Sequence, residues 1–457
     1  MNILLIATYE QGHQPFGLAS PAAWLRTAGF KLACLDISRD PLNESAIREA
    51  DLIAIHVPMH TATRLAIELI APIRSINPRA HLCFYGLYAP VNEAYLRKQG
   101  VQTILGGEFE AGLASLAKRL VVGTNNHSAS QREPLISLDR QNFQIPDRQD
   151  LPPLDRYATL RLPDGTSRIA GYTESSRGCK HLCRHCPIVP VYNGAFRIVA
   201  KEIVLEDIRR QIKSGAQHIT FGDPDFFNGI GHAIPLIESL HREFPQITYD
   251  ATIKIEHLRK HENQIATLRD TNCLFITSAV ESIDDAVLEK LAKNHTRAEF
   301  EHVLKSFRAQ NLPLQPTFVP FSPWTTPDSY NGLLDFLAAN DLIENVAPIQ
   351  LAIRLLIPAG SRLFDLPDIQ NLAGPFDEKA LVHPWQHPDP NVDRLCEQIQ
   401  QIVHSGEKLN RTRHQIFARI QEAARRAAGL DKLTKSEALP LLAARTTIPY
   451  LTEPWYC

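Results

Sequence analysis

A chain of 457 residues, 44% hydrophobic and 21% charged, has the make-up of a globular protein of two or three domains with ample core. Its formal net charge of −2 gives no polyanion-binding signal, so no nucleic-acid partner is expected. Eight cysteines over this length make no disulfide framework, and no stretch approaches the ~20 apolar residues that span a bilayer. The opening MNILLIATYE has no basic n-region and no small-residue cleavage site; it reads as a strand, and the expected location is the cytoplasm.

Residues 1–120 alternate apolar strands (Asn2–Ala7, Lys31–Asp36, Asp51–Val57, His81–Tyr85 and Gln102–Leu105) with amphipathic runs such as Pro21–Thr27 and Thr61–Ile76. That alternation predicts a doubly wound, flavodoxin-like parallel sheet, with ligands at the carboxyl ends of its strands. The loops there contain Thr61, Gly86 and Gly107 as candidate cofactor contacts. The segments GHQPFGLASPAAWLRTAGFKLACLDIS and GGEFEAGLASLAKRL resemble the cobalamin-binding domain often placed before a radical S-adenosylmethionine (SAM) core. The resemblance implies cobalamin as a candidate cofactor. The D-x-H-x-x-G motif that supplies a cobalt-ligating histidine elsewhere is absent; His13, His56 and His60 read as loop or packing histidines, so a bound cobalamin would have no histidine on its lower face. The domain can equally have kept only its shape.

Residues 121–165 are polar and proline-rich (GTNNHSASQREP, QIPDRQDLPPLDRYATL) and read as a linker. The stretch GYTESSRGCKHLCRHCP then places Cys179, Cys183 and Cys186 in a C-x3-C-x2-C spacing on a loop after a strand, Arg168–Ser175. Three thiolates can hold three corners of a 4Fe–4S cubane and leave one iron open. This resembles the radical SAM superfamily signature. The resemblance implies that the open iron chelates SAM and that a cluster electron cleaves it to a 5′-deoxyadenosyl radical. His185 stands where the family usually has an aromatic residue and is counted among the cofactor contacts. A zinc site using the same cysteines with His181 or His185 is the alternative.

Over residues 166–365 the alternation resumes, with strands at Arg168–Ser175, His218–Gly222, Tyr249–Ile255, Cys273–Val280, Leu314–Pro320 and Ile349–Ile357. Six βα units predict a partial (β/α)6 barrel with its site at the strands' carboxyl ends. The resemblance extends to those ends. Gly222, Asp223 and Pro224 match the loop whose backbone contacts the SAM amino group. Glu281 and Ser282 match a Gly-x-Glu-Ser stretch that reaches the ribose; an ionised Glu is acceptor-only and suits hydroxyl donors. Arg354 is a candidate partner for the SAM carboxylate or else a structural ion pair, and Lys254 is a further candidate for the same site.

Residues 366–457 turn helical, at Asn391–His404, Arg411–Ala428 and Lys435–Arg445, and end in TIPYLTEPWYC. The tail resembles radical SAM proteins that finish in Cys-Cys-Ala-Glu-Pro or Cys-selenocysteine-Ala-Glu-Pro. Cys457 would then be the first member of a redox or soft-element-binding pair, cut at a UGA codon; an ordinary terminus is the alternative. The expected function is a radical SAM enzyme with a 4Fe–4S cluster, SAM and cobalamin, methylating a small molecule and drawing electrons from a flavodoxin or ferredoxin. Two alternatives stand beside it. One is radical SAM group transfer or rearrangement with a vestigial cobalamin domain, on a substrate that can contain arsenic, selenium or sulfur. The other is a non-catalytic metal-binding protein. Methylthio insertion is disfavoured, because that family needs three more cysteines in its N-terminal domain and only Cys34 and Cys83 are there.

Overall fold

The computed structural model describes residues 1–122, 133–430 and 448–452. Its first layer is a parallel sheet of β1 (Asn2–Ala7), β2 (Lys31–Asp36), β3 (Leu52–His56), β4 (His81–Tyr85), β5 (Thr103–Gly107) and β6 (Ile136–Ser137). The order is β2-β1-β3-β4-β5-β6, the flavodoxin-like winding with its switch point between β1 and β3. Along β1 the residues alternate between two separate cores. Leu4 and Ile6 enter one; Ile3, Leu5 and Ala7 enter the other. Both faces are therefore covered, as parallel sheets require.

Proline positions shape the helices on this layer. The expected helix Thr61–Ile76 is two, His60–Glu68 and Ile70–Ile76, because Pro72 has no N–H to give the Glu68 carbonyl. The helix Phe16–Thr27 instead runs through Pro21 unbroken. Here the orphaned Gly17 carbonyl accepts a hydrogen bond from the buried Tyr85 hydroxyl at 2.8 Å.

The second layer is a curled sheet of β7 (Thr159–Arg161), β8 (Ser167–Thr173), β11 (His218–Phe221), β12 (Thr248–Thr252), β13 (Cys273–Glu281), β14 (Leu314–Phe318) and β15 (Tyr450–Leu451). A separate hairpin pairs β9 (Ser176–Gly178) with β10 (Phe196–Ile198). The order β14-β13-β12-β11-β8-β7-β15 keeps the five strands from β8 to β14 parallel and in sequence, a curled half-barrel. Its expected sixth strand is not extended. Pro348–Leu351 forms a 3-10 turn, and the sixth position is held by a single parallel bridge between Phe321 and Arg354. Pro348 starts that turn and lacks the ladder donor a strand would need there. The opposite edge carries two short antiparallel strands, β7 and β15.

Two long helices, Pro390–Lys408 and Arg413–Ala427, pack Ile399, Val403, Ile416 and Ile420 into the barrel core. The expected helix Lys435–Arg445 and the tail cysteine Cys457 lie outside the described residues. Arg148 ties the two layers together. It pairs with both oxygens of Asp207 at 2.9 Å and donates to Gln14 Oε1 and to the Tyr172 carbonyl. Among the described residues no helix is long and apolar enough to cross a membrane.

Candidate active site

The cysteine loop is an excursion from the β9–β10 hairpin. Its entry needs glycine: Gly178 has φ +71°, and a Cβ there would collide with the Tyr192 ring and the Ala195 carbonyl. The loop then folds on itself. Cys186 N donates to Cys183 O at 3.1 Å, and Asn193 and Gly194 turn the chain back in left-handed conformations.

Contacts to several strand ends fix the loop. Lys180 Nζ donates to the Asn228 carbonyl at 2.6 Å, beyond β11. His185 Nε2 lies 3.2 Å from Glu281 Oε1, at the end of β13. Arg184 N and guanidinium cap the Leu291, Glu289 and Lys290 carbonyls. Ser361 Oγ donates to the Arg184 carbonyl at 3.3 Å, from the sixth position.

All three thiols of the loop are unbonded to one another. Burial pushes Cys186 up to about 12 and raises Cys179, so binding iron there displaces protons. None of the other described cysteines joins the loop. Cys273 is at the far end of β13 from Glu281, eight residues or roughly 26 Å away. Cys34 and Cys83 share one row of the first sheet (Cys34–Leu5–Ala54–Cys83) across three strand spacings, about 14 Å. Three thiols with an open fourth position is the donor set of a SAM-binding cubane, and the residues present fit that group.

The expected contacts divide. Gly222 and Pro224 line the cleft above the sheet. A Cβ on Gly222 would strike the Tyr172 hydroxyl, so the backbone comes close there only as glycine. The Asp223 side chain turns inward and accepts from Ser175 N at 2.9 Å, Ser175 Oγ at 2.7 Å and Ser176 Oγ at 2.5 Å. It pins the start of the cysteine segment, and burial raises its carboxyl to about 6 against those hydrogen bonds. Glu281 is buried at φ +71°, an unusual conformation for a residue with a Cβ. Burial would raise its carboxyl, but Lys293 at 3.4 Å and His185 hold it at about 2. Ser282 accepts from Asp284 N and borders a separate cavity of about 40 Å³ with Trp324 and Tyr330. Lys254 Nζ pairs with Glu256 at 3.1 Å.

Arg354 is engaged by the C-terminal region. Its guanidinium pairs with Asp393 at 2.6 Å, donates to the Trp385 carbonyl and stacks 3.6 Å from the Trp385 ring centroid. Those partners come from the C-terminal region and occupy the fork. Arg354 thus forms the structural ion pair that was the alternative reading of this residue.

Between the layers lies a solvent-open cavity of about 210 Å³. Glu10 and His13 from the loop after β1, and Met59 from the loop after β3, face Tyr172 and Glu174 of the barrel across it, with Phe16 and Phe109 beside them. Those first two loops flank the switch point, where this winding places ligands. Gly107 lines the cavity; Thr61 and Gly86 are not among its lining residues. Gly86, at φ +112°, is shaped by the His56 ring packed against it. His56 Nδ1 is 2.5 Å from Glu10, with its ring wedged against Gly17 and Gly86. His13 lies against Tyr172 with centroids 4.8 Å apart, and His60 Nε2 is 2.7 Å from the Ala380 carbonyl.

Sequence reasoning missed Arg177, two positions before Cys179. It is buried, and its Nη1 is 2.6 Å from Glu110 and 3.5 Å from Glu108, with its Nε 2.8 Å from Glu174. Phe16, Phe109 and Phe143 surround the guanidinium. The Gly-Glu-x-Glu ending of the first layer thus grips the cysteine segment of the second. Three carboxylates share one cation, and they titrate apart. Burial raises Glu108 and brings Glu174 to about 7, while Glu110, which burial would also raise, is held low by Arg177 and Ser20. No local pattern marks this arginine: Glu174 and Lys180 stand beside it in the same segment, and its other two partners lie in the first layer.

Residues 173–325 match the model of the Radical SAM superfamily, and the chain carries that domain. Two curated relatives are similar. The ribosomal protein uS12 methylthiotransferase RimO of Geobacter sulfurreducens is 23% identical over 39% of this chain and 42% of its own length. The hopanoid C-3 methylase of Methylococcus capsulatus is 24% identical over 66% of this chain and 61% of its own. The chain therefore spans roughly two to three fifths of those relatives. Among solved structures, the cobalamin-dependent SAM radical enzyme OxsB, with aqua-cobalamin and SAM bound, superposes with a TM-score of 0.72 at 15% identity, covering 93% of this chain and 71% of that one.

Proposed function

We propose that this chain, a radical SAM enzyme by its matched domain and half-barrel fold, transfers a methyl group to a small molecule bound between its two layers, with cobalamin as the methyl carrier. The observation that supports this reading is the cavity itself, which places the carboxyl ends of both parallel sheets face to face. Cys179, Cys183 and Cys186 would hold the cluster. A 4Fe–4S cluster supplies the electron that cleaves SAM, and cobalamin supplies a methyl group when bound. The glycine-lined side of the cleft, at Gly17 and Gly107, would face the corrin.

The chain's own residues do the rest. Asp223 and the Ser175–Ser176 hydroxyls fix the segment leading into the loop. Glu281 orients His185 within the loop, and Lys293 balances its charge. Glu174 lines the cavity with a carboxyl near 7, so its Oε atoms can hold or release a proton at neutral pH. Phe16, Phe109 and Tyr172 supply apolar walls against which a substrate would pack.

A second reading keeps SAM cleavage and drops cobalamin. It is favoured by size: about 210 Å³ lies below the roughly 300–1,000 Å³ of ordinary small-molecule sites, so a corrin requires the layers to part. One preparation tests both. Protein reconstituted anaerobically with iron and sulfide should be brown and, after reduction, should consume SAM, whereas Cys183→Ala should hold no cluster and show background turnover. A colourless wild type with zinc on its thiols would overturn the radical SAM reading. Hydroxocobalamin retained through gel filtration supports the first reading; cofactor lost with turnover unchanged selects the second.

A further inference from the structure

Under the cysteine loop, three ligand-type side chains from three elements converge. His181 lies on the loop between Cys179 and Cys183. Asp225 follows β11, and His257 sits on the helix Ile255–Lys260 that follows β12. Their nearest ligating atoms all lie within 4.8 Å of one another. Asp225 Oδ2 is 2.7 Å from His257 Nδ1 and 3.2 Å from His181 Nε2, and the two rings stand 4.7 Å apart at 58°. Asp225 is 1% exposed and His181 8%.

These approaches are not hydrogen bonds. His181 Nε2, His257 Nδ1 and Asp225 Oδ2 are each buried without a partner of hydrogen-bonding geometry, three neighbouring polar atoms left unsatisfied where buried polar groups are ordinarily paired. The surroundings hold them so. Asp225 Oδ1 accepts from Phe227 N at 3.3 Å and Lys254 N at 3.4 Å, which fixes the carboxylate plane. Glu256 Oε2 lies 3.4 Å from the other nitrogen of His181 and is itself held by Lys254. A carboxylate behind the ring nitrogen that does not bind is the usual outer support of a metal-ligating histidine.

We propose that His181 Nε2, Asp225 Oδ2 and His257 Nδ1 bind one divalent transition-metal ion, zinc by preference, beneath the cysteine loop. Two imidazoles and a carboxylate suit zinc and other first-row divalent ions; calcium and magnesium take all-oxygen sets. No cysteine takes part, so this ion is distinct from anything on Cys179, Cys183 or Cys186. It ties the loop to the ends of the second and third barrel strands and leaves the cluster's own donors untouched.

Elemental analysis of the reconstituted, desalted holoprotein tests it. Wild type should carry about one zinc per chain beyond its cluster iron, and His257→Gln and Asp225→Asn should keep the iron and lose the zinc. Cobalt(II) added to the Cys179→Ala/Cys183→Ala/Cys186→Ala protein, where no iron obscures the spectrum, should give d–d absorption at about one equivalent. Should His257→Gln fail to fold by circular dichroism, the cobalt titration decides alone. Two results would overturn the site. One is wild type with full iron and under about a tenth of an equivalent of zinc, joined to a cysteine-free protein that binds no cobalt. The other is zinc that survives His257→Gln and leaves with the cysteines. Neither outcome bears on SAM cleavage, which is read separately.

Discussion

The two parallel sheets meet end to end, yet they place buried charge differently. The first layer pairs His56 with Glu10 internally, but its two most buried glutamates, Glu108 and Glu110, turn outward to a cation of the other layer. In the barrel the buried charges find their partners within the layer: His218 lies against Asp250 across two strands, and Glu281 at the end of β13 meets Lys293 and His185. The first layer supplies shape and closes the cleft. The second carries electrostatics that would persist if the first were removed. Arg177 is where the two meet, because its carboxylate partners come from both.

Breaking that junction should have the largest effect. Arg177→Met leaves Glu108, Glu110 and Glu174 buried around an apolar chain, and stranding buried charge in this way costs about 3–5 kcal/mol. Urea unfolding should show that loss, with the first layer becoming protease-sensitive before the barrel. Unchanged stability would mean that the layers are held by apolar contact alone. Arg177→Lys should rescue only part, since one ammonium cannot reproduce the fork that meets both Glu110 and Glu174.

A smaller effect sharpens the contrast through pH. Glu174 is raised to about 7 from an ordinary 4.5, so between those values the native chain binds more protons than the unfolded one. Its stabilisation is complete below pH 4.5 and is lost as pH rises through 7. Glu281, lowered to about 2, has the opposite sign: its contribution is present above pH 4.5 and lost as pH falls toward 2. With the Glu174 side chain 22% exposed, the swing should be about 1–3 kcal/mol rather than the full shift. Comparing urea midpoints at pH 5 and pH 8, Glu174→Gln should flatten the decline seen in wild type. An unaltered slope would assign the titration elsewhere.

The same division explains what the sequence made legible. Strands β1, β2 and β4 match their expected bounds residue for residue, because unbroken apolar runs of four or five residues between turn signals leave little choice of state. The cysteine spacing is local, so the donor set could be read without a fold. The Asp225 cluster could not. Its members are separated by 44 and 32 positions, and only the barrel's winding brings the end of β11, the end of β12 and the loop together. Arg177 was invisible for a related reason, since an arginine reads as exposed until three carboxylates are known to surround it. The sixth strand failed for a backbone reason: LAIRLLI is apolar enough for a strand, but Pro348 sets a turn at its start.

Arg354 offers the finest test, because there the local resemblance and the tertiary contacts disagree. Its side chain is 25% exposed and Asp393 is 26% exposed, so the ion pair is partly screened and contributes on the order of 0.2–1 kcal/mol. Stacking on Trp385 adds roughly 0.5–1 kcal/mol at such a site. Arg354→Gln should therefore lower stability by about 1 kcal/mol, visible as a small shift in the urea midpoint. SAM affinity should stay within about twofold of wild type, since the guanidinium is already engaged by Asp393, Trp385 and the Trp385 carbonyl. Equilibrium binding of SAM to the reconstituted protein separates the two roles. A loss of tenfold or more, about 1.4 kcal/mol, with stability unchanged would return Arg354 to the SAM carboxylate. It would also require the Asp393 pair to open when SAM binds.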